Sequence, residues 1–147
     1  MYLETEAEEW VDAYDGGDTR TLTEMLGEAE HIIVPHHTTR TPKHGELTDR
    51  TYLGPERMPV VEIHSKWGTG EYRGNPNQLG KVHGGPSFVQ DMLAMGYPLG
   101  FVGGTDTHAT MPGGYGHEPS HVGRPPGITA VWAPVLSRKA IYQGVKA

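Results

Sequence analysis

The sequence predicts an α/β protein with about five parallel strands, intervening helices and long loops. Almost continuous apolar runs recur along the chain, and such runs are typical of strands covered on both faces of a sheet. The clearest of them are residues 31–35, 59–63, 99–103 and 128–133. Helical segments alternate with these runs, and 21 glycines and 12 prolines among 147 residues indicate long loops. This alternation predicts a parallel sheet or a barrel.

The helices follow from apolar spacing and from the residues at their ends. Four segments have the three- and four-residue spacing of an amphipathic helix: residues 2–14, residues 18–26, residues 88–95 and the last residues after Ser137. Gly27 and Gly96 are expected to end the second and third of them, because glycine readily adopts the left-handed conformation of a helix end. Ser87 and Ser137 are expected to cap the N-termini of the third and fourth helices.

Polar side chains follow the ends of three predicted strands, at residues 31–35, 59–63 and 99–103. His36 comes directly after residues 31–35, and Asp106 and His108 follow residues 99–103. In an extended segment Asp106 and His108 would point to the same side, and the carboxyl ends of parallel strands meet at one face. We therefore expect these three side chains to lie within reach of one metal ion. The alternative interpretation of Asp106 is a turn residue that satisfies local amides.

Several other polar residues near these strand ends are candidates for supporting or substrate-binding roles: His37, Glu62, His64, Ser65, Glu71 and Arg73. A carboxylate within a buried strand, such as Glu62, needs a partner. The residues around Trp67 are predicted to form a glycine-rich turn. By contrast, His117 and His121 are expected to lie in an exposed loop, because Pro119 and nearby glycines disfavour a helix there.

Composition limits the partners and cofactors. The chain has no cysteine, so a metal ion would be held by histidine, carboxylate and water, a ligand set that suits Zn²⁺, Mn²⁺ or Fe²⁺. A net charge of −6 with scattered basic residues argues against stable nucleic-acid binding. No apolar run approaches the roughly 18 residues of a membrane span, so no membrane partner is expected. We expect a soluble protein; its compartment is left open, with the cytoplasm favoured.

Three motifs in this order carry a family resemblance: Pro-His-His-Thr at residues 35–38, Val-Glu-Ile-His-Ser at 61–65 and Gly-Gly-Thr-Asp-Thr-His at 103–108. They resemble the C-terminal half of the PHP (polymerase and histidinol phosphatase) superfamily, and most closely its branch known only as a domain of unknown function. The resemblance implies a partial, distorted TIM-like (β/α)7 barrel that forms a single domain over residues 1–147, truncated at both ends. It also places His36, Asp106 and His108 at catalytic and metal-ligating positions.

The implied activity is that of a metal-dependent phosphoesterase, in which a metal-bound hydroxide attacks a small phosphorylated substrate. The chain departs from the family pattern because it contains no His-x-His sequence, so the ligands of the earlier strands are missing. The chain would then be a fragment completed by a missing N-terminal half, a homo-oligomer that shares its site, or an inactive form. Two other functions stay open, namely an amidohydrolase-type metallohydrolase acting on an amide or carboxylic ester, and a catalytically silent metal-binding fragment.

Overall fold

A computed structural model describes residues 2–3, 19–40, 51–80, 86–107 and 125–147 of the chain. Within these ranges the protein has a mixed α/β fold, and the predicted class is confirmed at that level. In chain order the elements are β1 (Tyr2–Leu3), α1 (Thr19–Leu26), β2 (His31–Ile32), β3 (Val60–Ser65), β4 (Gly68–Thr69), α2 (Val89–Ala94), β5 (Gly100–Gly103) and α3 (Arg138–Lys146).

The larger sheet has three strands in the order β4-β3-β5. Strands β3 and β5 run parallel, with Val60 opposite Gly100 and Glu62 opposite Val102, and the register shifts between Glu62 and His64. The strands predicted near residues 59–63 and 99–103 are therefore confirmed, but the predicted burial of the second is wrong, because Phe101 in β5 is 48% exposed. The turn predicted around Trp67 is confirmed at residues 66–67, and it joins β3 to β4, which pairs antiparallel with the end of β3. The sheet is consequently mixed rather than purely parallel.

Residues 31–35 do not form one buried strand as predicted. Only His31–Ile32 is a strand, and it pairs antiparallel with Tyr2–Leu3, at a place where the sequence predicted a helix. Pairing with a distant segment satisfies the backbone groups of both, and this tertiary contact overrides the local helical spacing. The remainder of the helix predicted over residues 2–14 lies outside the described residues.

The segment after β2 runs beside β3. The amide of Ile33 donates to the carbonyl of Arg57 at 2.7 Å, and the amide of Glu62 donates to the carbonyl of Pro35 at 3.0 Å. Later residues of one segment thus pair with later residues of the other, so the two segments run in the same direction. Pro35 has no N–H to continue a ladder. Residues 36 and 37 therefore emerge beside the second half of β3.

Residues 128–133, predicted as a buried parallel strand, do not form a strand. The Thr129 hydroxyl accepts the amide of Gly103 at 2.7 Å and donates to the Gly103 carbonyl at 2.9 Å. The Thr129 side chain thus occupies the backbone N–H and C=O of Gly103, the last residue of β5, which a neighbouring strand would otherwise pair with. Ile128 and Trp132 are 78% and 94% exposed. Within the described ranges the chain therefore shows sheets of two and three strands, and not the five parallel strands expected for a (β/α)7 barrel.

The helices agree well with the sequence. Helix α1 is followed by Gly27 at φ +55° and α2 by Gly96 at φ +85°, as predicted for helix ends. The amide of Ala140 donates to the Ser137 hydroxyl at 3.2 Å and so caps α3. The predicted cap of α2 is wrong by one residue: Phe88 holds that position, and its amide donates to the Asp91 carboxylate at 3.1 Å.

One apolar cluster supports the three-stranded sheet. It contains six buried side chains contributed by β3, α2 and the segments that flank them: Ile33, Met58, Val61, Val89, Met92 and Leu99. Burial of these side chains fixes α2 against the sheet and so sets the position of β5, which follows α2. None of the helices that the structure describes is both long and apolar enough to cross a membrane.

Candidate metal centre

Three side chains meet where β5 and the segment before residue 36 both end. The candidate ligand atoms of His36, His37 and Asp106 all lie within 4.8 Å of one another. The His37 Nε2 atom is 3.1 Å from Asp106 Oδ2, and the His36 Nε2 atom is 3.7 Å from the same oxygen. Metal–ligand bonds of about 2.0–2.2 Å in a tetrahedral site separate neighbouring donors by about 3.3–3.6 Å. The observed separations lie on either side of that range, so small side-chain adjustments would accommodate an ion.

The backbone at two of these residues has an unusual conformation. His37 has φ +52° and Asp106 has φ +46°, and these are the non-glycine residues with positive φ in the described ranges. In an extended segment adjacent side chains point to opposite faces, whereas here the His36 and His37 rings stack with their centroids 3.7 Å apart. Left-handed backbone at non-glycine residues costs on the order of 1 kcal/mol or more, and such residues cluster at functional sites.

Glu62 supports this group from β3. Its Oε1 atom lies 2.9 Å from His36 Nδ1. A carboxylate that accepts the Nδ1–H of a histidine fixes the ring orientation and leaves the Nε2 lone pair for a metal ion. Gly104 makes room for this carboxylate, because a Cβ atom at that position would stand 2.8 Å from Glu62 Oε2. A side chain at position 104 would therefore displace the carboxylate that orients His36.

The site is acidic and only partly open to solvent. The side chains of Glu62 and Asp106 are 11% and 12% exposed, whereas that of His36 is 47% exposed. Burial lowers the pKa of His36, but the hydrogen bond to Glu62 and the negative charges of Glu62 and Asp106 together outweigh it and raise this pKa above its ordinary value; the positive charge of Arg40 acts in the opposite direction. Two nearly buried carboxylates therefore attract positive charge to the position of His36.

Ser65 and Trp67 hold His37 and Asp106 in place. The Ser65 hydroxyl lies 3.1 Å from His37 Nε2 and accepts the amide of Trp67 at 3.2 Å. The Trp67 indole N–H donates to the Asp106 carbonyl at 3.3 Å. Serine and aspartate contact the same ring nitrogen of His37, so this is not a Ser-His-Asp relay, which uses the two nitrogens separately. Ser65 is also fully buried, so it positions His37 and cannot reach a substrate.

The other residues predicted from the sequence have different surroundings. The imidazole of His64 contacts the Pro125 carbonyl through Nε2 at 3.0 Å and holds residue 125 against β3. The Glu71 carboxylate accepts a hydrogen bond from the side-chain Nδ2 of Asn75 at 3.2 Å, and the Arg73 guanidinium lies 4.8 Å from the centre of the Phe88 ring. These contacts order the loop after β4. The predicted ligand His108 lies outside the described residues, as do His117 and His121.

Sequence reasoning assigned His37 too small a role. Side chains alternate between the two faces of an extended segment, so only one of two adjacent histidines is expected to face a given site. The positive φ of His37 removes that restriction. The same applies to Asp106, because β5 ends at Gly103 and Asp106 is not extended. The extended conformation predicted at Asp106 is therefore wrong, although the proximity of Asp106 to His36 is as expected. The adjacent histidines at positions 36 and 37 are the feature of the sequence that indicates two ligands from this segment.

No family model matches this chain, and neither a curated protein nor a solved structure matches it. The geometry of the metal centre is therefore the basis for the proposed function.

Proposed function

We propose that this chain is a divalent-metal-dependent hydrolase and that its substrates are phosphate esters. The observation that carries the proposal is the convergence of His36, His37 and Asp106, together with the hydrogen bond that orients His36 on Glu62. Two imidazoles and one carboxylate form a donor set suited to Zn²⁺, Mn²⁺ or Fe²⁺. Metal-binding imidazoles are typically oriented by a carboxylate. The contact between Glu62 and His36 therefore fits a metal site, as the donor set does.

The electrostatics of the site also fit a bound cation. Glu62 and Asp106 are both largely shielded from water, and both lie within 4 Å of the two histidine rings. Two carboxylates in so small a volume repel each other unless positive charge lies between them. A proton on His36 or a divalent cation would supply that charge. When bound, the cation would provide Lewis acidity towards a phosphoryl oxygen and would acidify water.

The residues of the chain have distinct tasks in this proposal. Glu62 accepts the Nδ1 proton of His36 and keeps Nε2 free for the metal ion. In the metal-free chain Ser65 holds the His37 ring through Nε2, a contact that a metal ion on this nitrogen would replace, and Trp67 holds the Asp106 backbone. His36 is the most exposed of the three candidate ligands, so a substrate would approach from its side. The chain has no cysteine, and Ser65 is buried, so water is the nucleophile that the site favours.

The finer architecture is also a proposal. We propose that β3, β5 and the segment at residues 33–35 are part of a PHP-type barrel that is completed by a second copy or by strands of a longer polypeptide. The three segments run in one direction, and each leads into a residue of the metal centre or its support. If a second copy completes the barrel, light scattering coupled to size exclusion should show a dimer or larger assembly. A folded, active monomer would contradict this part of the proposal.

Hydrolysis assays with matched variants test the proposed activity. The chain, supplemented with Zn²⁺ or Mn²⁺, should hydrolyse p-nitrophenyl phosphate esters in preference to p-nitrophenyl acetate and nitroanilides, and a chelator should abolish the activity. Asp106→Asn should reduce both metal affinity and turnover at least tenfold, because it removes a ligand charge. Glu24→Gln on α1 removes one exposed carboxylate elsewhere and should change neither.

The substrate panel separates the proposed function from its alternatives. A preference for the acetate or the anilide would identify a metallohydrolase of carboxylic derivatives instead. Metal binding without any hydrolysis would identify a catalytically silent metal-binding protein. Activity that is unchanged in Asp106→Asn would remove the candidate metal centre from the reaction.

A further inference from the structure

An apolar cavity lies beside the candidate metal centre. It has a volume of about 650 Å³, within the roughly 300–1,000 Å³ typical of pockets for small molecules. Glu62 and Thr105 line it next to the metal centre, and Ile32 and Val34 line another part of its wall. Gly127, Ile128, Thr129, Val131 and α3 line the opposite side, and the cavity is partly open to solvent. The cavity is thus continuous with the carboxylate that orients His36.

Close contact of backbones shapes this wall. A Cβ atom at Gly127 would lie 2.6 Å from the His64 carbonyl oxygen and 2.7 Å from the Gly103 Cα atom. The segment that begins at residue 127 is therefore seated directly on the ends of β3 and β5, and the His64 contact with Pro125 holds it there. These contacts hold the start of the segment, which lines one side of the cavity, against the sheet.

Arg138 could pair with an anionic group at one side of the cavity. Among the described residues the charged lining consists of Glu62, which contacts His36, and Arg138. The Arg138 side chain is exposed and, within the described ranges, has no ion pair and no side-chain hydrogen bond. Arg138 is also the first residue of α3, where the helix dipole disfavours a cation and favours an anion. An anionic group beside Arg138 would be attracted both by the guanidinium and by the N-terminus of the helix.

We propose that this cavity binds the apolar body of the substrate and that Arg138 pairs with a second anionic group on that body. The role of this cavity in catalysis rests on the function proposed above. The substrate class is then a phosphate ester of a small apolar molecule that also carries a carboxylate, sulfonate or similar anion. The phosphate ester lies at His36, and the apolar body lies against Val102 and Val131.

Binding to the metal-free protein tests the cavity separately from hydrolysis. Isothermal titration would compare naphthalenesulfonate, which has an apolar ring and an anion, with the neutral naphthol, on the full chain stripped of metal by a chelator. We expect one binding site that prefers the sulfonate. Arg138→Gln should weaken sulfonate binding about tenfold and leave naphthol binding unchanged, because a charge-assisted hydrogen bond is lost.

Two further variants serve as controls. Lys139→Gln removes the neighbouring cation, which does not line the cavity, and should change neither affinity. Val102→Trp fills the cavity and should abolish binding of both probes, with folding checked by thermal unfolding. Equal affinity for both probes, or equal losses in Arg138→Gln and Lys139→Gln, would overturn the proposal. Arg138-dependent binding by a chain without phosphoesterase activity would support the cavity as an anion-selective site and contradict the proposed function instead.

Discussion

Gly104→Ala should weaken metal binding without touching a metal ligand. A Cβ atom at this position would lie 2.8 Å from Glu62 Oε2, whereas ordinary contact begins at 3.4 Å, so the carboxylate must withdraw by about 0.6 Å. Gly104 does not have the positive φ that would strain an alanine. The substitution therefore acts through the position of Glu62 rather than through the backbone of residue 104.

The magnitude follows from the His36–Glu62 hydrogen bond. Glu62 Oε1 lies 2.9 Å from His36 Nδ1, and a withdrawal of about 0.6 Å lengthens this contact towards 3.5 Å, at the limit of a hydrogen bond. Loss of the partner that orients a metal-ligating histidine typically costs about 10–100-fold in metal affinity. We therefore expect a loss of that size for Zn²⁺ and Mn²⁺ in Gly104→Ala.

Isothermal titration at one pH measures this effect, with Gly80→Ala as the matched control. Among the described residues nothing lies within 4 Å of a Cβ atom at Gly80, so this variant should bind metal like the parent. Glu62→Gln provides a second route to the same result, because it weakens the acceptor while keeping the shape of the side chain. If Gly104→Ala and Glu62→Gln are both folded and bind metal as tightly as Gly80→Ala, Glu62 does not orient a metal ligand.

Metal affinity should fall as the pH is lowered through the raised pKa of His36, because the proton and the cation compete for Nε2; titrations across pH measure this. In the metal-free chain the same raised pKa means that protonated His36 stabilises the fold at low pH. This contribution is lost as the pH rises through that pKa, which urea unfolding can follow. Met92→Ala should cost about 2–5 kcal/mol of unfolding free energy, because Met92 is fully buried, whereas Leu93→Ala on the exposed face of α2 should cost less than about 1 kcal/mol. Ser137→Ala should cost about 1 kcal/mol through loss of the α3 cap, with amide exchange at Ala140 as the local readout.

Much of the local structure could be predicted because it depends on neighbouring residues. Gly27 and Gly96 end helices through their own backbone freedom, and Ser137 caps α3 with its own hydroxyl. The apolar runs at residues 59–63 and 99–103 became β3 and β5, and Val61 and Leu99 from these runs lie in the core. The rule that strand ends share a face also brought His36 and Asp106 together correctly.

The features that were not predicted depend on tertiary contacts or on backbone conformations that the spacing of residues does not reveal. The pairing of β1 with β2 joins residues nearly thirty positions apart, so a local helical pattern could not anticipate it. The Thr129 hydroxyl replaced a strand at the edge of β5, although residues 128–133 have the composition of a buried strand. The role of His37 depends on a positive φ, which no simple pattern predicts for histidine.

Anomalous diffraction from crystals of this chain grown with Zn²⁺ would test the metal centre most directly. We expect one strong peak bonded to His36 Nε2, to an imidazole nitrogen of His37 and to a carboxylate oxygen of Asp106, each at about 2.0–2.2 Å. His36 Nδ1 should remain hydrogen-bonded to Glu62. Zinc bound only at other residues, or no peak at this position in a saturated crystal, would contradict the assignment of these three residues as metal ligands.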